Sequence, residues 1–205
     1  MEGRNLFDYR LTSGDGDFSF DNLFYSRRVG RSPQFTPGGP GFVDMPAAAT
    51  ILGAFKLTGK TRSGFSIGLM DSVTSRESAS VFHDEVYTDV AVEPLTNYFA
   101  GRVQKDWNGG ATVLGGMITA VNREAAGGAF EPLHRAAYSG GIDFSHSWGN
   151  RNYYLSFKAV TSHVRGAAEA ILATQRSPVH YFQRPDAEYL AVDAGRTSLT
   201  GTGGN

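Results

Sequence analysis

From Leu133 to Gly166 the chain reads LHRAAYSGGIDFSHSWGNRNYYLSFKAVTSHVRG, and a period of two holds through most of it. Ala136, Tyr138, Gly140, Ile142, Phe144 and Trp148 fall on one face, with Arg135, Ala137, Ser139, Gly141, Asp143, Ser145 and Ser147 on the other. This is the pattern of a strand whose two faces meet different surroundings. After the turn pair Gly149-Asn150, Tyr153, Leu155, Phe157 and Ala159 alternate with Tyr154, Ser156, Lys158 and Ser162, which predicts a β-hairpin. Both arms exceed the usual strand length of about five or six residues.

Two further hairpins precede it. Ile51, Gly53, Phe55 and Leu57 alternate with Leu52, Ala54, Lys56 and Thr58, the stretch Gly59 to Gly64 turns the chain, and Phe65, Ile67 and Leu69 alternate with Ser66, Gly68 and Met70. In Asn97 to Trp107, Phe99, Gly101 and Val103 oppose Ala100, Arg102, Gln104 and Asp106; Asn108-Gly109-Gly110 then leads into Ala111 to Asn122, which is apolar on both faces and gives no facing. Every tight turn falls at one end of this array and every long connection at the other. Thr74 to Glu93 reads as a polar connection with one short strand at Glu85 to Val92, and Arg123 to Pro132 as a loop. Beyond Gly166, Ala167 to Arg176 consists of good helix formers, Ser177 to Asp186 has no clean period, and Glu188 to Val192 and Thr197 to Thr200 are short strand candidates, the second truncated. Met1 to Ala48 is rich in Gly, Pro, Asp and Arg, with one strand-like piece at Asn22 to Val29. The division is therefore a loop-rich segment, 1–48, and an antiparallel meander, 49–205.

Long two-faced strands with short turns on one side and long loops on the other predict an all-β, antiparallel up-and-down meander forming part of an outer-membrane-type β-barrel, since a tilted strand needs about 9–11 residues to cross a bilayer. Ile51, Phe55, Phe65, Ile67, Phe99, Val103, Ile142, Phe144, Leu155 and Phe157 are then expected to face lipid. Lys56, Arg102, Gln104, Asp143 and Lys158 are expected to face a wet or plugged lumen. Trp107, Trp148 and Tyr153 lie beside tight turns, where amphipathic rings form an interfacial girdle. The competing reading is a soluble β-sandwich or lipocalin-like barrel, a binding module with the same apolar face turned inward.

Composition narrows the choice. Net charge is -1 with 19 basic and 20 acidic residues, which gives no field for nucleic acid. The absence of cysteine excludes disulfides, thiolate zinc sites and cysteine nucleophiles. Twenty-six glycines and 12 % aromatics lean towards turn-rich β structure. No run of about 18 apolar residues offers a membrane-spanning helix. The start, MEGRNLFDYRL, has no signal-peptide pattern, and the end, RTSLTGTGGN, reads as the opening of another strand. The expectation is a fragment, incomplete at both ends, whose further strands lie elsewhere, because about eight is the smallest membrane barrel.

Candidate chemistry is sparse. Arg27, Arg28 and Arg31 form a cluster suited to an anionic sugar or a lipopolysaccharide phosphate, against the plainer reading that they pair with nearby acids or line a polar interior. With Lys56, Arg102, Arg135, Asp143 and Lys158, expected to tune the polarity of a lumen or pair with a plug, they make up the candidate binding residues. Asp15, Asp17 and Asp21 lack the Gly and terminal Glu of a calcium loop and read as a solvated turn. His83, His134, His146, His163 and His180 have no HxxxH spacing, so no metal and no cofactor are expected. Gly59-Lys60-Thr61 lacks the leading Gly of a phosphate loop. No catalytic residue is assigned. A glycosidase would need two of the loop acids Asp84, Glu85, Asp89, Glu93, Glu131, Glu169 and Asp186 held across a sugar.

The segments NLFYSRRVGRSP, ILGAFKLTGKTRSGFSIGLM, VEPLTNYFAGRVQKDW, GGMITAVNR and YFQRPDA, in this order, resemble the C-terminal domain of unknown function (DUF5916 type) that follows a family-9 carbohydrate-binding module in bacterial exported proteins. The resemblance implies an outer-membrane barrel in the bacterial outer membrane, with lipid, an upstream sugar-binding module and further strands of the same protein as partners. No catalytic residues carry over. The expectation is a non-enzymatic barrel domain that binds or passes carbohydrate or other nutrients at the cell surface. The alternative is a domain tied to glycan hydrolysis, with its site in the long loops.

Overall fold

The long alternating runs become one antiparallel sheet. The computed structural model describes residues 6–10, 22–124, 128–178, 182, 186 and 191–205. Ten strands form: β1 (Phe42–Asp44), β2 (Ile51–Lys60), β3 (Phe65–Thr74), β4 (Glu77–His83), β5 (Val86–Glu93), β6 (Thr96–Trp107), β7 (Thr112–Arg123), β8 (His134–Trp148), β9 (Tyr153–Gly166) and β10 (Ser198–Gly204). Seven of them pair in the order β10-β9-β8-β7-β6-β3-β2, and β1-β4-β5 make a separate three-stranded sheet at the long-loop end. The seven strands form an open sheet, with β2 and β10 as its edges among the described residues. Among the described residues one α-helix forms, α1 (Ala168–Arg176), where good helix formers predict it.

Register fixes the two faces. Leu114 lies opposite Phe144, Gly116 opposite Ile142, and Phe144 opposite Phe157. On the other face Gly115 lies opposite Asp143, and Asp143 opposite Lys158. This resolves β7, whose apolar residues gave no facing: Leu114 and Ile118 join the exposed apolar face, while Met117 is buried on the opposite one. The tight turns suit their residues, since Asn108, Gly109 and Gly110 all have positive φ, as do Gly149, Asn150 and Arg151.

The core sits on the face that carries the small and polar residues. Phe7 and Tyr9 from the N-terminal segment pack there against Ala100 and Met117, flanked by Leu23, Phe24, Met70 and Val160. We call this the covered face. The opposite, bare face holds Phe55, Ile67, Val103, Leu114, Ile118, Ile142, Leu155 and Phe157, each between 39 % and 58 % exposed.

Several expectations need correction. Asn22 to Val29 is not a strand but an irregular stretch with a 3₁₀ turn at Ser26–Arg28. The cause is Asn22, whose Oδ1 accepts from the Tyr9 and Phe24 amides while its Nδ2 donates to Asp8, so a side chain turns the backbone. The segment 1–48 also contains β1, which pairs with β4. The connection from Thr74 to Glu93 holds a complete hairpin, β4–β5, rather than one strand. Its turn uses Asp84 and Glu85 at φ 50° and 63°, a left-handed pair that glycine-based reading passes over. β10 is longer than the Thr197 to Thr200 candidate and pairs along its whole length with β9. A bulge between Ile51 and Gly53 breaks the alternation, so Ile51 lies opposite Thr74 and against Gly30 instead of on the bare face. Ala191 and Val192 are not in a strand, and the rest of the Glu188 to Val192 candidate, together with Asp15, Asp17, Asp21 and His180, lies outside the described residues.

Candidate functional site

The covered face is shaped by three glycines. A Cβ on Gly68 would stand 2.9 Å from Leu6 and Phe7, and one on Gly141 would stand 2.7 Å from the Tyr9 hydroxyl. A Cβ on Gly115 would stand 2.8 Å from both Arg102 and Asp143. The small residues of the polar face therefore clear the space that the N-terminal segment and an ion pair occupy. Tyr9 reaches the sheet backbone through that gap, donating to the Ile142 carbonyl at 2.7 Å and, more weakly, to Ala159 at 3.4 Å.

Gly115 also sets the charge arrangement. Arg102 on β6 and Asp143 on β8 are separated by β7, and the guanidinium crosses over Gly115 to form a bidentate pair at 2.5 and 2.8 Å. Arg102 is 5 % exposed, and its guanidinium lies 5.2 Å from the centre of the Tyr9 ring. Burial pushes the Tyr9 phenol above its ordinary pKa, the Asp143 carboxylate adds to that, and Arg102 opposes it, so Tyr9 remains a donor. Lys158 donates to the Arg10 carbonyl at 2.7 Å, and Lys56 stands 5.6 Å from the centre of the Phe7 ring. Of the sequence-predicted candidates, Lys56, Arg102, Asp143 and Lys158 thus gather around the N-terminal segment. Arg135 does not: it lies at the bulge that opens β8, beside a wide cleft with His163 and Arg165.

Replacing Gly141 with Ala is expected to destabilise this arrangement by about 1–3 kcal/mol, because neither Tyr9 nor the strand can yield without losing the Tyr9 hydrogen bond. Faster tryptic cleavage after Arg10 is the readout. Gly116→Ala, whose Cβ meets only the Gly141 carbonyl at 3.7 Å, serves as the control and is expected to change stability by less than about 0.5 kcal/mol.

At the long-loop end a second arrangement forms. A cleft enclosing about 90 Å³ is lined by Arg28 and Arg31 from the N-terminal segment, by Arg123 at the end of β7, and by the aromatic rings of Tyr25 and Tyr98. Arg27 is exposed and lies outside it. Arg123 was not among the sequence-predicted residues: the pattern assigns it to the loop after Asn122, whereas it is the last residue of β7. Glu93, 1 % exposed, is the acid within electrostatic reach of Arg123, together with the cations Arg28 and Arg31. Its two oxygens accept from the Gln34 amide and side chain, both at 2.8 Å. The other loop acids are dispersed: Asp84 and Glu85 form the β4–β5 tip, Glu169 starts α1, and Asp89 lines a separate cleft with Asp44.

The bare face ends in two polar rims. At the tight-turn end His146, Trp148 and Tyr153 stack at 5.7 and 5.8 Å, and Lys105 lies over Trp107. Towards the long-loop end Tyr138 directs its hydroxyl to Asn122 at 2.7 Å, and Arg165 stands 6.0 Å from the centre of its ring. Among the described residues no helix is long and apolar enough to cross a membrane, which says nothing of strands.

Residues 2–172 match the family described as Domain of unknown function (DUF5916). Among curated proteins and among solved structures, nothing matches the chain.

Proposed function

We propose, for a chain that belongs to the DUF5916 family, that the seven-stranded sheet is part of the wall of an outer-membrane β-barrel, with its N-terminal segment as a plug. The observation that carries this reading is the bare apolar face. Burying such residues stabilises a soluble fold, yet here the large side chains are outside and the core is built on the glycine-rich, charged face. The dimensions agree with a bilayer. From Tyr138 to Trp148 the strand takes ten steps, about 33 Å at about 3.3 Å each, and a tilt of about 40° leaves about 25 Å, the height of the apolar band on transmembrane barrels. Tyr and Trp at both limits suit the headgroup regions. Seven strands are fewer than the smallest barrel of about eight, so closure would recruit pairing partners at the β2 and β10 edges.

The covered face supports binding over free passage. Its charges are spent on one another and on the N-terminal segment, through Arg102–Asp143, Lys158 and Lys56, while the cleft at the long-loop end stays lined with cations. The domain is thus a plugged, non-enzymatic surface element whose binding end takes carbohydrate or another nutrient from outside the cell.

Flotation and fluorescence test the membrane placement. Refolded into phosphatidylcholine vesicles, the chain should float with the lipid, with blue-shifted emission from Trp107 and Trp148, which are 42 % and 49 % exposed. Bromine near the headgroups should quench that emission more than bromine at the chain ends. Protein that stays in the aqueous fraction, with emission typical of water, overturns the assignment.

A further inference from the structure

We infer that the cleft between the N-terminal segment and the end of β7 is a binding site for a single oxyanion group, the phosphate or carboxylate of an anionic saccharide. This deepens the reading of the long-loop end as the binding end and rests on it, but does not depend on the bilayer. Three arginines, Arg28, Arg31 and Arg123, line one cleft. Among the described residues the one carboxylate acting on Arg123 is that of Glu93, and Gln34 occupies both of its oxygens. Among the described residues neither Arg28 nor Arg31 forms an ion pair.

The donors are unspent as well. The Nε atoms of Arg31 and Arg123 are buried and have no hydrogen-bond partner, and Arg123 makes one side-chain bond, to the His134 carbonyl at 3.0 Å. Arg31 accepts from the Ala49 amide through its backbone carbonyl, and among the described residues no partner meets its Nε. A buried donor without a partner costs about 1–3 kcal/mol, and an arginine fork matches a carboxylate or phosphate in geometry and charge. An oxyanion would therefore relieve the mutual repulsion of the cations, and a rotation of the Arg31 and Arg123 guanidinium groups towards the cleft would bring their buried Nε donors to it as well. The cleft of about 90 Å³ holds about three water volumes. That is room for one anionic group, with the sugar that bears it extending past the exposed Tyr25.

Titration calorimetry on the whole 205-residue chain in detergent micelles tests the site with three probes: inorganic phosphate, glucuronate and glucose. Saturable binding of phosphate, glucuronate or both, with none of glucose, is the expected result, and which anion binds identifies the group. Arg31→Gln should weaken that binding by about tenfold or more, while Arg27→Gln, outside the cleft, should leave it unchanged. Arg28 is exposed, where substitutions change stability by less than about 0.5 kcal/mol, so Arg28→Gln provides a second variant if Arg31→Gln does not fold. The proposal is overturned if neither anion binds, if glucose binds as well as glucuronate, or if a folded Arg31→Gln or Arg28→Gln chain binds like the unsubstituted one. Vesicle flotation of the same samples reports on the barrel reading separately.

Discussion

Asp143→Ala is expected to lower the stability of the folded chain by about 3–5 kcal/mol, the cost of leaving a buried charge without its partner. Arg102 is 5 % exposed, and its Nε already has no hydrogen-bond partner, so its two bonds to Asp143, with the weaker contact to the Tyr9 ring, compensate for burying the guanidinium. Removing the carboxylate leaves the buried cation with the Tyr9 ring beside it but without its two hydrogen bonds. The loss should appear as a lower denaturant midpoint in micelles, accompanied by release of the N-terminal segment to protease. The double replacement Arg102→Met with Asp143→Leu separates the two meanings of that loss. Because exchanging a whole buried pair for apolar groups is often neutral, the double variant should regain most of the stability. A single Asp143→Ala chain as stable as the unsubstituted one would mean that the pair does not hold the covered face together.

That pair also marks where reading the sequence succeeds and where it stops. Alternation alone puts Arg102 and Asp143 on one face, because the side-chain period of a strand is two and both strands are long enough to show it. It does not bring them together, since they are 41 residues apart and meet only across β7, over a glycine whose role is to be empty. Gly68 and Gly141 are equally silent: in the sequence they are small residues on a polar face, and only the approach of Phe7 and Tyr9 gives them a function. The turns at Asn108 to Gly110 and Gly149-Asn150 were legible through residues that tolerate positive φ, whereas the β4–β5 turn joins Asp84, which does so too, with Glu85, which gives no such signal, and has no glycine. The arginine cleft was half legible. Arg28 and Arg31 stand out as a cluster, but Arg123 joins them only through the pairing of β7 with its neighbours, and Arg27, adjacent in sequence, does not line the cleft. The N-terminal segment itself carries no periodicity, because its order comes from contacts with the sheet, such as the Tyr9 bond to Ile142, rather than from a repeating backbone pattern.

Ile142→Arg should give the opposite outcome in a bilayer from the one it gives in water, which makes it the sharpest test of what the bare face meets. Ile142 is 55 % exposed, its cross-strand neighbours on that face are Gly116 and Ala159, and it lies near the middle of the span from Tyr138 to Trp148. An arginine there has room on the protein side, so any penalty comes from the surroundings. If those are hydrocarbon, the substitution costs about 2–4 kcal/mol at the midplane, and Trp148→Arg at the tight-turn rim costs only about 0–1 kcal/mol from the charge itself. Vesicle-refolding titrations should then show a loss of folded, inserted protein of about 30-fold or more for Ile142→Arg, and a far smaller one for the rim. A soluble sheet predicts the reverse. Exchanging a half-exposed isoleucine for arginine would then change stability by less than about 0.5 kcal/mol and improve solubility. Equal, small effects at Ile142 and Trp148 would remove lipid from the account of this face, while the ion pair and the seat of Tyr9 on the other side of the sheet would be untouched by that result.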